Sequence, residues 1–477
     1  MMNLFLRSLR VPCGAFIVFF FASPGTASDW LQFRGTNANG IAVNDSPLPA
    51  EIGPKKNVLW KIALASGHSS PVIHNGRIYL TALDNKKLLT FGLDANSGSV
   101  LWAAEANYEK LESVHRIGSP ATSTVVTDGK HVFSFFGSVG LFCYDLEGQS
   151  IWSRKLGPFN NQFGATSSPV LHEDRIVMVQ DHDTGSYVFA VDKRTGKTIW
   201  KTDRPNFRRN YGSPTIWTVN GKPQVVVAGS AYITGYDLES GKHVWTVRGI
   251  CRVVSTTPVV GNDGLLYVAA TGGGKPTAQP SFKKLISTAD ANGNKLLEES
   301  ELPKSQIRSF LYQFDTDLDK SLNEAEYETI REIFDISQTA AFAIKPGGTG
   351  DITESHVLWT QTKSIPRNST LLIHQGTVFM VKDGGILATL NAKTGDIIKQ
   401  GRLAGRGSYY SSAVVGDGKV YLISERGDLT VVSAKGEWEQ LSETSFGEDT
   451  LATPAIVDGK IYLRTVKSLY CFGLKTK

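Results

Sequence analysis

Little in this chain would staple it together or hold it in a membrane. Among 477 residues there are four cysteines, and Cys13 lies in an apolar leader. The other three, Cys143, Cys251 and Cys471, read as small buried apolar residues rather than a disulfide framework. Cys143 and Cys471 share a repeat position in units that are not neighbours, which puts a bridge between them out of reach. The apolar stretch at residues 11–22 is too short to span a bilayer. Neither charge dominates: 50 Lys plus Arg against 45 Asp plus Glu give +5, and about +3 remains once Arg7 and Arg10 leave with the leader. That balance argues against a nucleic-acid partner. There is no nucleophile elbow and no histidine pair at metal-ligand spacing, so no catalytic residue is assigned.

What the chain does have is a repeat. Trp102, Trp152, Trp200 and Trp245 each close the phrase Gly-x-x-x-Trp, at intervals of 50, 48 and 45 residues. A period in that range, all strand and turn, indicates a propeller. Each unit opens on a strand of small residues such as Ser69-Ser70-Pro71. A Gly-containing turn follows, as at Asn75-Gly76 or Asp128-Gly129, then a β-branched and aromatic strand. A third strand runs into an Asp-x-x-Thr/Ser-Gly corner, fullest at Asp192, Thr195 and Gly196, where the carboxylate and hydroxyl bond turn amides and glycine takes the left-handed conformation. Eight inner strands are expected near Ser70, Thr122, Ser168, Pro214, Thr257, Thr370, Ser412 and Thr453. The first outer strand, Val58 to Ile62, precedes any inner one, and the last unit stops at Gly473 without an outer one. The two ends are therefore expected to complete one blade, with residues 58–64 closing blade eight.

The leader, 1–28, pairs a basic start with a short apolar run and small residues before Asp29, which predicts export by a cleaved signal peptide into the periplasm or medium. Residues 29–273 are expected to form blades one to five in part, and 341–477 the remainder. The fold class is all-β, an eight-bladed propeller with a small helical insertion at 274–340.

That insertion stretches Trp245 to Trp359 to 114 residues. Leu285 and Ile286, and later Tyr327, Ile330 and Phe334, follow helical spacing. Between the helical stretches lie two twelve-residue loops. The second offers Asp315, Asp317 and Asp319 at positions 1, 3 and 5, the Ser321 carbonyl at 7 and Glu326 at 12. The first offers Asp290, Asn292, Asn294, the Leu296 carbonyl and Glu301. Alternating oxygens of this kind surround a hard cation, so an EF-hand pair binding calcium is expected. Lys295 and Lys320 stand where glycine is usual, and a positive φ there costs about 1 kcal/mol, so affinity is expected to be modest.

The repeat resembles the pyrroloquinoline-quinone-type propeller repeat over essentially all of the chain beyond the leader except the insertion. The opening Trp30-Leu31-Gln32-Phe33-Arg34-Gly35, the segment Val357-Leu358-Trp359 and the ending Leu463-Arg464-Thr465 resemble the exported eight-bladed propellers abundant in planctomycete bacteria. The propeller subunit of the outer-membrane β-barrel assembly machinery is similar in architecture. The resemblance implies a fold and leaves chemistry open. Dehydrogenases sharing the repeat hold the quinone over the channel with a metal, an Asp base and a stacking tryptophan. No such set matches here residue by residue, and the adjacent cysteine pair of the alcohol-oxidising branch is missing, so the quinone is not expected.

Propellers bind guests at the channel mouth, on loops leading into the inner strands. His68, Arg116, Arg209, Arg252, Arg367 and Arg406 sit on such loops, and their convergence would suit a carboxylate, sulfate or phosphate. Phe207, Tyr211, Tyr409 and Tyr410 lie nearby and would stack on a carbohydrate. The reading is a monomeric, non-catalytic binding or scaffold protein that carries calcium and takes a protein or acidic-glycan partner at the mouth. The alternative is a quinone-dependent dehydrogenase at the same place.

Overall fold

Short turns between alternating runs leave each repeat one way to fold, as four antiparallel strands. In the first unit Val72–His74, Arg77–Asp84, Lys87–Asp94 and Val100–Ala106 pair in that order. Asn75 and Gly76 between the first two take φ of 45° and 71°, as a tight hairpin turn requires. The computed structural model describes residues 29–475 apart from 45, 184, 273–277, 303–307, 309, 310 and 313. The expected leader lies outside the described residues.

Eight such sheets make the ring. The eighth consists of Ala455–Val457, Lys460–Arg464 and Ser468–Gly473, completed by Val58–Ala63, with Trp60 opposite Cys471 and Ile62 opposite Leu469. The ends of the ring thus meet within one sheet, which pairs an edge that would otherwise be exposed. The three described cysteines, Cys143, Cys251 and Cys471, are buried and unbridged.

The tryptophans join blades rather than finish them. Trp200 at the outer strand of blade three lies on Gly241 in the corner of blade four, and its Nε1 donates to the Leu238 carbonyl at 2.8 Å. Trp60 on Gly98, Trp102 on Gly148, Trp152 on Gly196 and Trp359 on Gly395 repeat the arrangement. A side chain at any of these glycines would strike the neighbouring indole, and all five have positive φ. The Asp corner forms as its residues dictate: Asp192 Oδ1 accepts from Arg194 N, Thr195 N and Thr195 Oγ1 at 3.0, 2.9 and 2.9 Å. Blade six substitutes Lys399, whose ammonium bonds the Trp438 carbonyl at 2.5 Å and lies over that ring. Trp245 has no corner to lie on, because the next blade is interrupted. It bonds Gln224 instead and meets Trp217 edge-on.

Blade five is interrupted between Leu266–Ala270 and Ala340–Ile344. The insertion has its own core, in which Phe282, Leu285, Leu297, Leu322, Tyr327 and Ile330 are buried together, with Ala231 of blade four among them. On its return the chain adds Gly350–Asp351 as a parallel fifth strand beside Trp245 and Thr246.

Candidate functional site: the channel and the paired loops

The small residues that open the inner strands are tied into a closed ring. The Ser70 N–H donates to Thr124 Oγ1, Thr124 N–H to Ser168 Oγ and Ser168 N–H to Ser213 Oγ, at 3.0, 3.0 and 2.9 Å. Ser213 continues to Thr257, Thr257 to Thr370 and Thr370 to Ser412, at 3.2, 3.1 and 3.1 Å. Ser412 donates to Thr453, and Thr453 N–H returns to Ser70 Oγ, both at 3.0 Å. Buried inner-strand amides thereby gain acceptors that a β-ladder would not give them. Each hydroxyl spends one lone pair on this bond.

These hydroxyls line a cavity of about 470 Å³ on the ring axis. Strand side chains alternate in direction, so the residues two places earlier form a second tier in the same lining. That tier is varied: His68, Thr122, Thr166, Tyr211, Ser255, Asn368, Tyr410 and Leu451. Residues 30–42 cross the other end of the axis. Trp30 bridges Ile73 in blade one, the Leu31 carbonyl accepts from Thr127 in blade two, and Arg34 reaches the Leu371 carbonyl in blade six, opposite blade two. Phe33, between the last two anchors, forms part of the lining, and Ile41 bridges Val415 in blade seven. The channel is therefore a blind cavity with a mouth on one face.

The six basic mouth residues are split. His68 and Arg367 line the cavity. His68 is held down to about 4 by burial and by the Arg464 charge, so it is neutral at pH 7. Arg464 is 1% exposed and bonds the carbonyls of Ser69, Thr81 and Ala65 and the Ser69 hydroxyl. Burial holds it down to about 9, which leaves it a cation. Arg116 is exposed on its loop, and the exposed Arg406 belongs to a separate cleft with Asp428 and Glu443. Arg209 forks onto Asp183 and also donates to Tyr312 of the insertion at 2.6 Å. The Arg252 guanidinium lies over Phe334 of the insertion, 4.3 Å from the ring centre. Of the aromatic neighbours, Tyr211 and Tyr410 line the cavity, Tyr409 is buried in the core and Phe207 lies against the Arg204 guanidinium.

Beside Arg209 lies a polar cluster that sequence reading missed. Arg204 and Asp181, both with fully buried side chains, pair through two bonds of 2.8 and 3.0 Å, and Arg204 also donates to Thr234 and Tyr236. Asn210 adds a bond to Asp181 at 3.0 Å. The run Asp181-His182-Asp183 was the available signal, since adjacent charges on a buried strand end need partners.

The two insertion loops share most of their bonds. Asp290 Oδ2 accepts from Lys295 N at 3.0 Å, and Asp315 Oδ2 from Lys320 N at 2.9 Å. Glu301 accepts from Ala291 N and Glu298 N as Glu326 accepts from Thr316 N and Asn323 N, all within 2.6–3.1 Å. Asn292 and Asn294 accept from the amides of Asn294 and Leu296, and Asp319 accepts from Ser321 N and Oγ. Lys295 and Lys320 have φ of 64° and 72°. Leu297 pairs with Leu322, and Glu298 with Ser321, in a two-stranded antiparallel link between the loops. Carboxylate oxygens of Asp315, Asp317 and Glu326 lie within 4.8 Å of one another. This donor set fits a hard cation. Burial holds the Arg208 guanidinium down, and the charges of Asp181, Asp183 and Glu326 of the second loop act against it.

Comparison with known proteins extends these observations. The family model described as "Outer membrane protein assembly factor BamB" matches residues 50–184, 184–279 and 350–477. The chain is 23% identical to the outer membrane protein assembly factor BamB of Yersinia pestis, over 82% of this chain and 93% of that protein. It is 24% identical to the quinohemoprotein alcohol dehydrogenase ADH-IIG of Pseudomonas putida, over 39% of this chain and 20% of the enzyme. The crystal structure of BamB from Moraxella catarrhalis has the same fold, with a TM-score of 0.54 at 12% identity, covering 87% of this chain and 99% of that one.

Proposed function

Since the chain belongs to the family described as outer membrane protein assembly factor BamB, we propose that it is an exported, non-catalytic binding scaffold whose calcium-loaded insertion braces the mouth face of the propeller. One observation carries the calcium half: two loops that share most of their bonds, joined through Leu297 and Leu322. Asp315, Asp317, Asp319 and Glu326, with the Ser321 carbonyl, would hold one ion. Asp290, Asn292, Asn294 and Glu301, with the Leu296 carbonyl, would hold a second more weakly, having fewer charges. The bound ion supplies charge neutralisation. The chain's own contribution is rigidity, because Tyr312, Glu332 and Phe334 of the insertion are gripped by Arg209, Arg248 and Arg252 of the ring.

The mouth face, carrying the cavity and these loops, is where a protein or acidic-glycan partner docks. The likeness to BamB supports a protein partner. Among the described residues the cavity lining holds no carboxylate and no tryptophan, so neither an Asp base nor a stacking indole for the quinone is at hand. Isothermal titration with calcium on the wild type and on Glu326→Gln tests the metal claim. The variant should lose the stronger binding event, and unchanged heats would remove calcium from the reading.

A further inference from the structure

The eight ring hydroxyls accept one N–H apiece. Among the described residues none has an acceptor for its own hydrogen. Their residues are 2–7% exposed and line the cavity. A hydroxyl carries one hydrogen and two lone pairs, so each keeps a donor and one acceptor site facing the axis. A polyhydroxylated ligand has the same composition and satisfies both, whereas a purely apolar ligand leaves the donors stranded at an energetic cost.

On either side of this ring the wall is partly aromatic. Phe163 and Tyr211 meet edge-on at 5.6 Å, and Tyr410 and Phe33 also line the space. Rings of this kind cover the apolar face of a pyranose. Arg367 contributes a positive charge, the buried Arg464 adds a second behind Ser69, and among the described residues the lining has no acidic side chain. A negatively charged guest is therefore favoured over a neutral one. The cavity size suits a small molecule, and the strap across the far end admits a chain terminus but not a polymer running through.

We infer that the axial cavity binds a small carboxylated sugar of the uronic-acid type, with its hydroxyls on the Ser/Thr ring, its ring against Tyr211 and Tyr410, and its carboxylate on Arg367. The sugar is either free or the acidic end of a glycan. This deepens the partner-binding half of the proposed function and is independent of calcium.

Calorimetric titration of the full chain with glucuronate, glucose, inorganic phosphate and a glucuronate-ended disaccharide tests it. Glucuronate should bind and glucose should bind at least tenfold more weakly. A disaccharide bound more tightly than glucuronate assigns a chain end, and one bound no better assigns the free sugar. Arg367→Gln should weaken glucuronate roughly tenfold or more, as loss of a charged bond does, and leave glucose unchanged. Binding of phosphate without either sugar, equal binding of glucose and glucuronate, or no heat from any of them overturns the inference. Calcium heats from the same preparation separate that failure from failure of the calcium reading.

Discussion

The contact between Trp200 and Gly241 gives a sharp test of how the blades are held together. Gly241 has φ +71°, and a Cβ placed there would lie 2.4 Å from Trp200 Cε3. Gly241→Ala should therefore incur about 1 kcal/mol for the left-handed backbone and roughly 1–3 kcal/mol for overpacking the indole. Gly221 isolates the first effect, because its φ is +76° and nothing lies within 4 Å of its would-be Cβ. Gly221→Ala should cost about 1 kcal/mol. Trp200→Ala leaves a cavity between blades and an unpaired Leu238 carbonyl, at about 3–5 kcal/mol. In the double variant the indole is gone and the overpacking term vanishes. The Thr202 hydroxyl, 3.0 Å from the same Cβ, stays in both backgrounds and cancels. The double variant should then be more stable than the sum of the single losses by roughly 1–3 kcal/mol. Equilibrium urea unfolding of the four proteins and the Gly221 control reads this directly. Additivity within about 0.5 kcal/mol, or a Gly241 variant no weaker than the Gly221 variant, would refute the inter-blade interlock.

Other perturbations follow from the same contacts. Asp128 is 7% exposed at its side chain; burial alone would raise it, but Lys193, His131 and two backbone amides bring it down to about 2. Its folded value lies below the unfolded one, so its stabilisation is present above about pH 4 and is lost as pH falls towards 2. Asp128→Asn should cost about 1–2 kcal/mol at pH 7 in urea unfolding, with the gap narrowing below pH 4; a gap that widens in acid contradicts the assignment. Arg204→Met strands the buried Asp181 carboxylate and should cost about 3–5 kcal/mol. Adding Asp181→Asn should recover most of it, and no recovery would mean that packing, not charge, is what Arg204 supplies. The calcium and sugar titrations described above complete the set.

Much of this was legible from residue order alone. Blade count, the closing strand at residues 58–63 and the Asp corner are local or periodic features, and local sterics decide them: glycine at positive φ, a carboxylate within reach of the next amides, alternation along a strand. The twelve-residue loops are local in the same sense. What sequence could not supply was the partner of each side chain across the ring. The tryptophans are regular in sequence, but their contacts lie on the following blade's glycine. The hydroxyl ring appears in sequence only as scattered Ser and Thr, since each bond joins residues about 41 to 54 positions apart, more where the insertion or the ring closure intervenes. Arg209 and Arg252 have the composition of anion ligands. Tertiary packing turns Arg209 to Asp183 of the ring and Tyr312, and Arg252 to Phe334, as a long insertion folds back over their loops. The strap at residues 30–42 makes the channel a blind cavity for a comparable reason. Local chemistry sets what a segment can become, and only closure of the ring brings distant segments close enough to decide which face each presents.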